Sequence, residues 1–458
     1  MSRSETPQDT VERALAAATR GTETVVIADE SSTANLRWAG NTLTTNGVAT
    51  SRSLTVISVA RRAGAAGVGM VARSGVTPGQ VEDLVREAEK AADEASPAED
   101  AADLVTGEAG YHCEPSVWSA APSATDFGVF RSFSAQLGES LRAAEAAGRK
   151  LYGFAEHEVT ATFVGTSTGV RARYDQPAGR LELNAKSADL ARSAWAGVAT
   201  RDFADVDVAA VDAGLAERLS WQSRRVELPA GRYETLLPPT AVSDMLTYMY
   251  WSSGARDAGE GRTVFSRSGL EAEGQRTRVG ERLSPVPLDL YSDPSYPGLE
   301  CAPFVVAHAS GRDSSVFDNG LPSPRAPWLS AGVLSALHSS RYSAGLTGLP
   351  VTPAVDNLIL SAPGASASLE SMIASTKRGL LLTGLTRDGV YLIEEGEVVG
   401  AVNNFRYNES PVGMLSRVLE VGATAKTLPR EWGDYFNRAA MPPLRVEAFN
   451  MSSVSQAS

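Results

Sequence analysis

Near its start the chain changes its hydrophobic period from helical to extended within a few residues. Thr6-Pro7 reads as an N-cap and first-turn pair, and Val11, Leu15 and Ala18 then share one stripe until Gly21 ends the segment, which predicts a short helix. From Thr24 to Arg73 the runs TVVIAD, ANLRWAG, TLTTNGV, SLTVISVA and GVGMVA are rich in β-formers and separated by Asn-Gly, Ser and Gly. They predict an antiparallel meander. Thr77-Pro78 opens a second helix reaching about Ala95, and the acidic stretch EASPAEDAAD after it is expected to be a solvated linker. A third helix is predicted over Asp126 to Ala147, followed by a hairpin of two long strands, Leu151 to Val164 and Val170 to Asn184.

The string VELPAGRY marks a domain boundary, because Pro229 and Gly231 fit poorly inside a helix or a central strand. Beyond it the pattern predicts one helix around Thr240 to Trp251 and short strands within GLLLTGL, GVYLIEEGEVVGAV and PLRVEAF. Between them runs a Pro, Gly and Ser-rich tract from about Ser284 to Pro353, too long for an ordinary connection, which is expected to wrap over the core or cover a partner. No fixed-period repeat is present. The expectation is an α+β fold in two domains, residues 1–225 and a β-rich 226–458, with antiparallel and mixed sheets flanked by helices.

A length of 458 residues with 43% hydrophobic content supports two cores rather than one. The net charge of -12 would repel a phosphate backbone, which argues against nucleic-acid binding. The opening MSRSETPQDT lacks the apolar centre of a signal peptide, and no run approaches the roughly 18 apolar residues of a membrane span. A cytoplasmic protein with no membrane contact is expected. Cys113 and Cys301 stand far apart, outside any metal-knuckle or disulfide spacing, and read as small hydrophobes.

Several motifs invite a chemical reading. Gly165-Thr166-Ser167-Thr168-Gly169 matches the G-x-S-x-G pattern of a nucleophile elbow, but VRARYDQPAG follows it, so the context is strand-turn-strand rather than strand-turn-helix. His308 or His338 would have to serve as base, and neither stands in a recognisable context. His157-Glu158 begins a zincin-like motif, yet the positions one turn on are Ala161 and Thr162, and EHEVTATFV alternates like a strand. A solvent-side strand histidine is expected there. His112-Cys113 are adjacent and would point to opposite faces of a strand. The glycines between Gly64 and Gly75 fit neither phosphate-loop pattern and read as small residues in a close-packed strand. The block Asn403, Asn404, Phe405, Arg406, Tyr407, Asn408 gathers amides, a guanidinium and aromatics after an apolar strand. It could hold a peptide by directed hydrogen bonds, or simply form a capped loop or a subunit contact. Asn403, Asn404, Phe405, Arg406 and Asn408 are the peptide-facing candidates, and no catalytic or metal-binding residue is assigned.

Three longer strings carry more weight: TANLRWAGNTLTTNG, LTGLTRDGVYLIEEGEVVGAVNNFRYNESP, and LPREWGDYF followed by PPLRVEAFNMSSVSQAS. With them the chain resembles, over nearly its whole length, the TldE-like branch of actinobacterial type in the TldD/PmbA family. The resemblance implies a heterodimer in which a TldD-like subunit binds zinc through an HExxxH helix and a late cysteine, with extended peptides entering a chamber between the subunits. TldE-like partners are needed for activity but are catalytically silent. Domain 226–458 would then be equivalent to the TldD metallopeptidase domain without its zinc ligands. The segment TAVSDMLTYMYW should correspond to the metal helix, and it offers Asp244 but no histidine or glutamate; no cysteine follows Cys301. Zinc is therefore expected in the partner subunit and no cofactor in this chain. One departure is that Lys377-Arg378-Gly379 runs straight through LLLTGL into Thr386-Arg387-Asp388, which shortens the chain by about one hairpin relative to the family pattern. The function implied is the non-zinc subunit of a TldD/TldE metallopeptidase that degrades or matures unfolded or modified peptides. The alternatives are a paralogue recruited to peptide-like natural-product biosynthesis, a non-enzymatic peptide-binding scaffold, or a Ser167 hydrolase.

Overall fold

Helix α1 (Pro7–Ala17) starts where the sequence places it, because Thr6 and Asp9 form a reciprocal capping box across its first turn. The computed structural model describes residues 5–62, 64–267, 276–385 and 389–455. The β-rich segment after α1 folds not as five short runs but as three long strands, β1 (Glu23–Ala39), β2 (Thr42–Arg62) and β3 (Ala65–Ser74). The expected Asn46-Gly47 turn is absent: Asn46 and Gly47 lie inside β2 opposite Leu36 and Asn35. The chain reverses at Gly40-Asn41, where both residues have positive φ (57° and 68°), the pair of conformations a two-residue hairpin needs. Asn41 is fixed there by hydrogen bonds from its side chain to the Arg149 carbonyl (2.8 Å) and from the Leu151 N–H (2.7 Å).

Helices α2 (Val81–Glu94), α3 (Pro115–Ser119) and α4 (Arg131–Ala146) follow, then β4 (Arg149–Thr166), β5 (Arg171–Ser187), β6 (Ser193–Thr200) and α5 (Val208–Trp221). The first six strands form one antiparallel sheet in the order β3-β2-β1-β4-β5-β6. Its even-numbered β1 residues face the helices: Val26 and Ala28 meet Val11 of α1 and Leu84 of α2, while Leu36 and Trp38 meet Phe133 of α4 and Leu215 of α5.

The remaining elements are β7 (Arg225–Val226), β8 (Gly231–Leu237), α6 (Pro239–Trp251), α7 (Ala255–Gly259), β9 (Asp289–Ser292), β10 (Ala326–Ser330), β11 (Val333–Leu334), α8 (Arg341–Thr347), β12 (Leu358–Ser361) and α9 (Leu369–Ala374). They continue through β13 (Arg378–Leu382), β14 (Val390–Glu394), β15 (Glu397–Val402), β16 (Phe405–Tyr407), α10 (Pro411–Leu415), β17 (Val418–Val421), β18 (Ala425–Thr427), β19 (Ala439–Met441) and β20 (Leu444–Val454). Two mixed sheets result, β11-β10-β9-β12-β19-β18 and β16-β20-β8-β13-β14-β15-β7, with β17 pairing β20. Helix α6 sits in the core they share, its Val242 and Leu246 clustering with Leu380 and Leu444 of one sheet and with Leu358 and Met441 of the other. The fold is α+β, as expected. The stretch expected to be shortened, from Lys377 to Asp388, runs through β13 toward β14, and its Thr386–Asp388 lie outside the described residues.

The tract between Ser284 and Pro353 does wrap over a core: Phe304, Val316 and Phe317 bury themselves against Val25, Ile27, Ile57 and Val164, on the face of the first sheet that carries the odd-numbered β1 residues. In the acidic stretch before it Glu94, Glu99 and Asp103 are exposed, as expected, and one residue departs from that expectation. Asp100 is buried, not solvated, because its carboxylate accepts the hydroxyls of Ser310 (2.6 Å) and Ser315 (2.7 Å) from that same tract. No helix among the described residues is long and apolar enough to cross a membrane.

Candidate functional site

Pro239 fixes the first turn of α6, and Asp244, Tyr248 and Trp251 then recur at the i, i+4, i+7 spacing of one helical face. The irregular strap from Leu428 to Phe436 lies along that stripe. The Glu431 N–H donates to Asp244 Oδ1 (2.9 Å), and the Trp432 indole N–H donates to the Asp244 carbonyl (3.0 Å). The Trp432 ring stacks on Tyr248 (centroids 6.2 Å apart, 15° between planes) and meets Trp251 edge-on at 5.2 Å. Asp244 thus holds the strap to the helix through two backbone and indole hydrogen bonds, while the aromatic rings present an exposed surface, Tyr248 being 55% accessible.

Burial pushes the Asp244 carboxyl up to about 7, against the pull of the Glu431 N–H. Its Oδ2 is buried without a hydrogen-bond partner among the described residues, and so is the hydroxyl of Tyr407. Burial also raises the Tyr407 phenol, with the charges of Glu431 and Asp244 adding to the effect, so Tyr407 belongs to this locus.

The strap joins α6 to the β5–β6 side of the first sheet. Asp434 pairs with Arg180 of β5, whose guanidinium lies 4.8 Å over the Phe154 ring, with Arg37 at 5.7 Å from the same ring. Arg430 lies 5.1 Å over Trp195 of β6, whose indole N–H donates to Glu182 (3.1 Å). These contacts place stacking rings, cations and carboxylates at the junction of the two halves, which is the chemistry of binding a polar chain.

A zinc ion does not fit this donor set. It needs three or four nitrogen, sulfur or oxygen ligands, and α6 supplies one carboxylate with one oxygen already engaged. The histidines are dispersed. His112 Nε2 lies 2.7 Å from the Gly107 carbonyl, and His308 Nδ1 lies 3.2 Å from Thr55 Oγ1. His338 is walled in by Tyr250 and Trp328, and burial pushes it down to about 3, so it stays neutral at physiological pH. His157 corrects the expectation of a solvent-side residue. It is 5% exposed, and its ring bridges Thr125 Oγ1 and the Arg201 carbonyl, both at 2.7 Å. Among the described residues no three or more His, Cys, Asp and Glu side chains gather to hold a metal ion.

Ser167 occupies the turn between β4 and β5, and its Oγ accepts the Thr24 N–H at 2.9 Å, the role of a turn serine. The glycines of β3 are packing residues, since a Cβ at Gly69 would run into the Ala88 carbonyl and the Ala92 amide of α2.

The block from Asn403 to Asn408 divides by strand alternation. Asn403 is half-buried, and its Oδ1 accepts the Leu228 N–H (2.8 Å), pinning the VELPAGRY segment. Phe405 is buried in the large core, 6.4 Å from the ring of Tyr233. Asn404, Arg406 and Asn408 are exposed on the other face, their carbonyls accepting bonds from Ser455, Ser452 and Asn450 respectively. The residue of this block that reaches the α6 locus is Tyr407. Sequence reasoning named Tyr407 in the block but left it out of the peptide-facing candidates, and it missed Trp432 and Asp434; the clustered aromatics of REWGDYF were the signal, but an irregular strap has no period to read.

Residues 230–453 match the family model described as the PmbA/TldA metallopeptidase C-terminal domain. No curated protein matches the chain. Among solved structures it is similar to TldE from Thermococcus kodakarensis, with a TM-score of 0.75 at 16% identity, over 97% of this chain and 99% of that one. It is also similar to a proposed modulator of a DNA gyrase from Thermotoga maritima, with a TM-score of 0.73 at 17% identity over 97% and 99%. A proposed modulator of DNA gyrase from Bacteroides thetaiotaomicron gives 0.73 at 15% identity over 98% of both chains. At such identities the likeness establishes the fold.

Proposed function

We propose that this chain, whose second half is a PmbA/TldD family domain, is a TldE-like subunit that completes a metallopeptidase with a zinc-bearing TldD-like partner. One observation carries the reading: α6 lies within the residues matched to the metallopeptidase C-terminal domain, and its single carboxylate, Asp244, is occupied with anchoring the Leu428–Phe436 strap. The ion that activates water would then be supplied by the partner, and this subunit would contribute peptide selection in the cytoplasm. The exposed Asn404, Arg406 and Asn408 and the Tyr248–Trp432 platform are the groups offered to an extended peptide or to the partner.

Co-expression with a TldD-like homologue carrying HExxxH and a late cysteine tests this directly. A stable complex with chelator-sensitive peptide cleavage that neither chain shows alone is the expected outcome. Chelator-sensitive cleavage by the lone chain would refute the silent role, and failure of any such homologue to bind would refute the subunit role.

A further inference from the structure

The face of the first sheet that carries the odd-numbered β1 residues is covered along only part of its length. Val25 and Ile27 lie beneath Phe304 and Phe317, whereas Asn35 is half-buried and Arg37 is exposed. The other face of that same stretch is filled by α4 and α5, so the opening is one-sided. Across it run Tyr152, Phe154 and Glu156 of β4, all half-buried, and alternation along β4 places Lys150 in the same row.

The charges in this opening are sorted along it. Lys150 of β4 stands directly opposite Lys186 of β5. Like charges so placed, with Cβ atoms about 5 Å apart, destabilise a sheet. No ion pair among the described residues relieves either lysine, and Arg37 has none; the carboxylates gather instead round Arg180, where Glu156 (3.3 Å), Glu182 (3.9 Å) and Asp434 share one guanidinium. Rings hold the unpaired cations over the sheet: the Lys186 ammonium lies 5.5 Å from the centre of the Tyr152 ring, and the Arg37 guanidinium 5.7 Å from that of Phe154. A chain of net charge -12 thus carries a cationic end and an anionic end on one open face. The strand from Lys150 to Glu156 sets them about 20 Å apart.

We propose that this face receives an extended peptide of about six residues, its terminal carboxylate between Lys150 and Lys186 and its terminal ammonium beside the carboxylates around Arg180. A polyanion is disfavoured, because Glu156, Glu182 and Asp434 would repel its far end. A zwitterionic chain of that length meets opposite charge at both ends, and its carboxylate relieves the repulsion between the two lysines. The inference rests on the reading of this subunit as one that selects peptides, and it names the end of the peptide that is gripped.

Calorimetric titration of the full chain with a hexapeptide of uncharged residues and free termini tests it. Binding is expected, and amidation of the peptide's C-terminus should weaken it by about tenfold or more. Lys150→Gln combined with Lys186→Gln should weaken the free acid by a similar factor and leave the amide unchanged. Lys90→Gln on α2 should change neither, circular dichroism confirming that the variants fold. No binding of the free acid, equal affinity for acid and amide, or a free acid indifferent to the paired substitution would each overturn the inference. If the chain fails in any of these ways yet still forms an active complex with a TldD-like partner, the failure belongs to this inference and not to the subunit reading.

Discussion

At Asp244 a carboxyl is held out of water by the strap it anchors, and this gives the protein a titration with an unusual sign. The group's ordinary value is 3.8 and burial raises it to about 7 in the folded chain. Between these values the folded state therefore binds more protons than the unfolded one. Its favourable contribution is complete below pH 3.8 and is lost as pH rises toward 7, by up to about 4 kcal/mol from the displacement alone. Asp244→Asn keeps an oxygen to accept the Glu431 N–H and removes the charge. Relative to the native chain it should gain stability between pH 4.5 and pH 8, measured by urea unfolding at the two values. A difference that does not change with pH would mean the carboxyl is not desolvated as described. The buried and neutral His338 titrates in the opposite sense, so the substitution rather than the native pH profile isolates Asp244.

Among elements, the contact of β3 with α2 shows how residue size decides packing. Gly67 and Gly69 bring the strand backbone against the helix backbone at Ala88 and Ala92, with no room for a side-chain carbon. Gly69→Ala should cost about 1–3 kcal/mol through overpacking, read as a fall in the urea midpoint. An unchanged midpoint would show that the helix can withdraw freely. The strap behaves differently as an element. With no internal period of its own, it is placed by Asp244, by the ring of Tyr248 and by the ion pair of Asp434 with Arg180. Its aromatic residues could be noticed in the sequence, but their destination could not be derived from it.

On the scale of the whole molecule the two halves share buried surface. Phe317, fully buried, packs from a tract of the second half of the chain onto the face of the first sheet that carries the odd-numbered β1 residues, and the Asp100 hydrogen bonds cross the same junction. The halves should therefore unfold together rather than in sequence. Phe317→Ala should lower stability by about 3–5 kcal/mol, and fluorescence and circular dichroism should continue to report one coincident transition in the native chain. Two resolved transitions in the native chain would show that the junction is weak.

What the chain determines alone is what neighbours in sequence settle between themselves. The Thr6–Asp9 capping box starts α1, alternation sets the β4–β5 hairpin, and the missing imidazoles of α6 follow from its composition. Tertiary structure decided whatever depends on distant partners. It moved the hairpin turn to Gly40-Asn41, because Arg149 and Leu151 grip Asn41 there. It buried His157 between Thr125 and Arg201 and drew Asp100 out of solvent to Ser310 and Ser315. It also set Tyr407, rather than the amides beside it, near enough to Glu431 and Asp244 for their charges to act on its phenol. In each case the energy comes from a hydrogen bond or buried contact whose other half lies far along the chain, where no local period or propensity registers it.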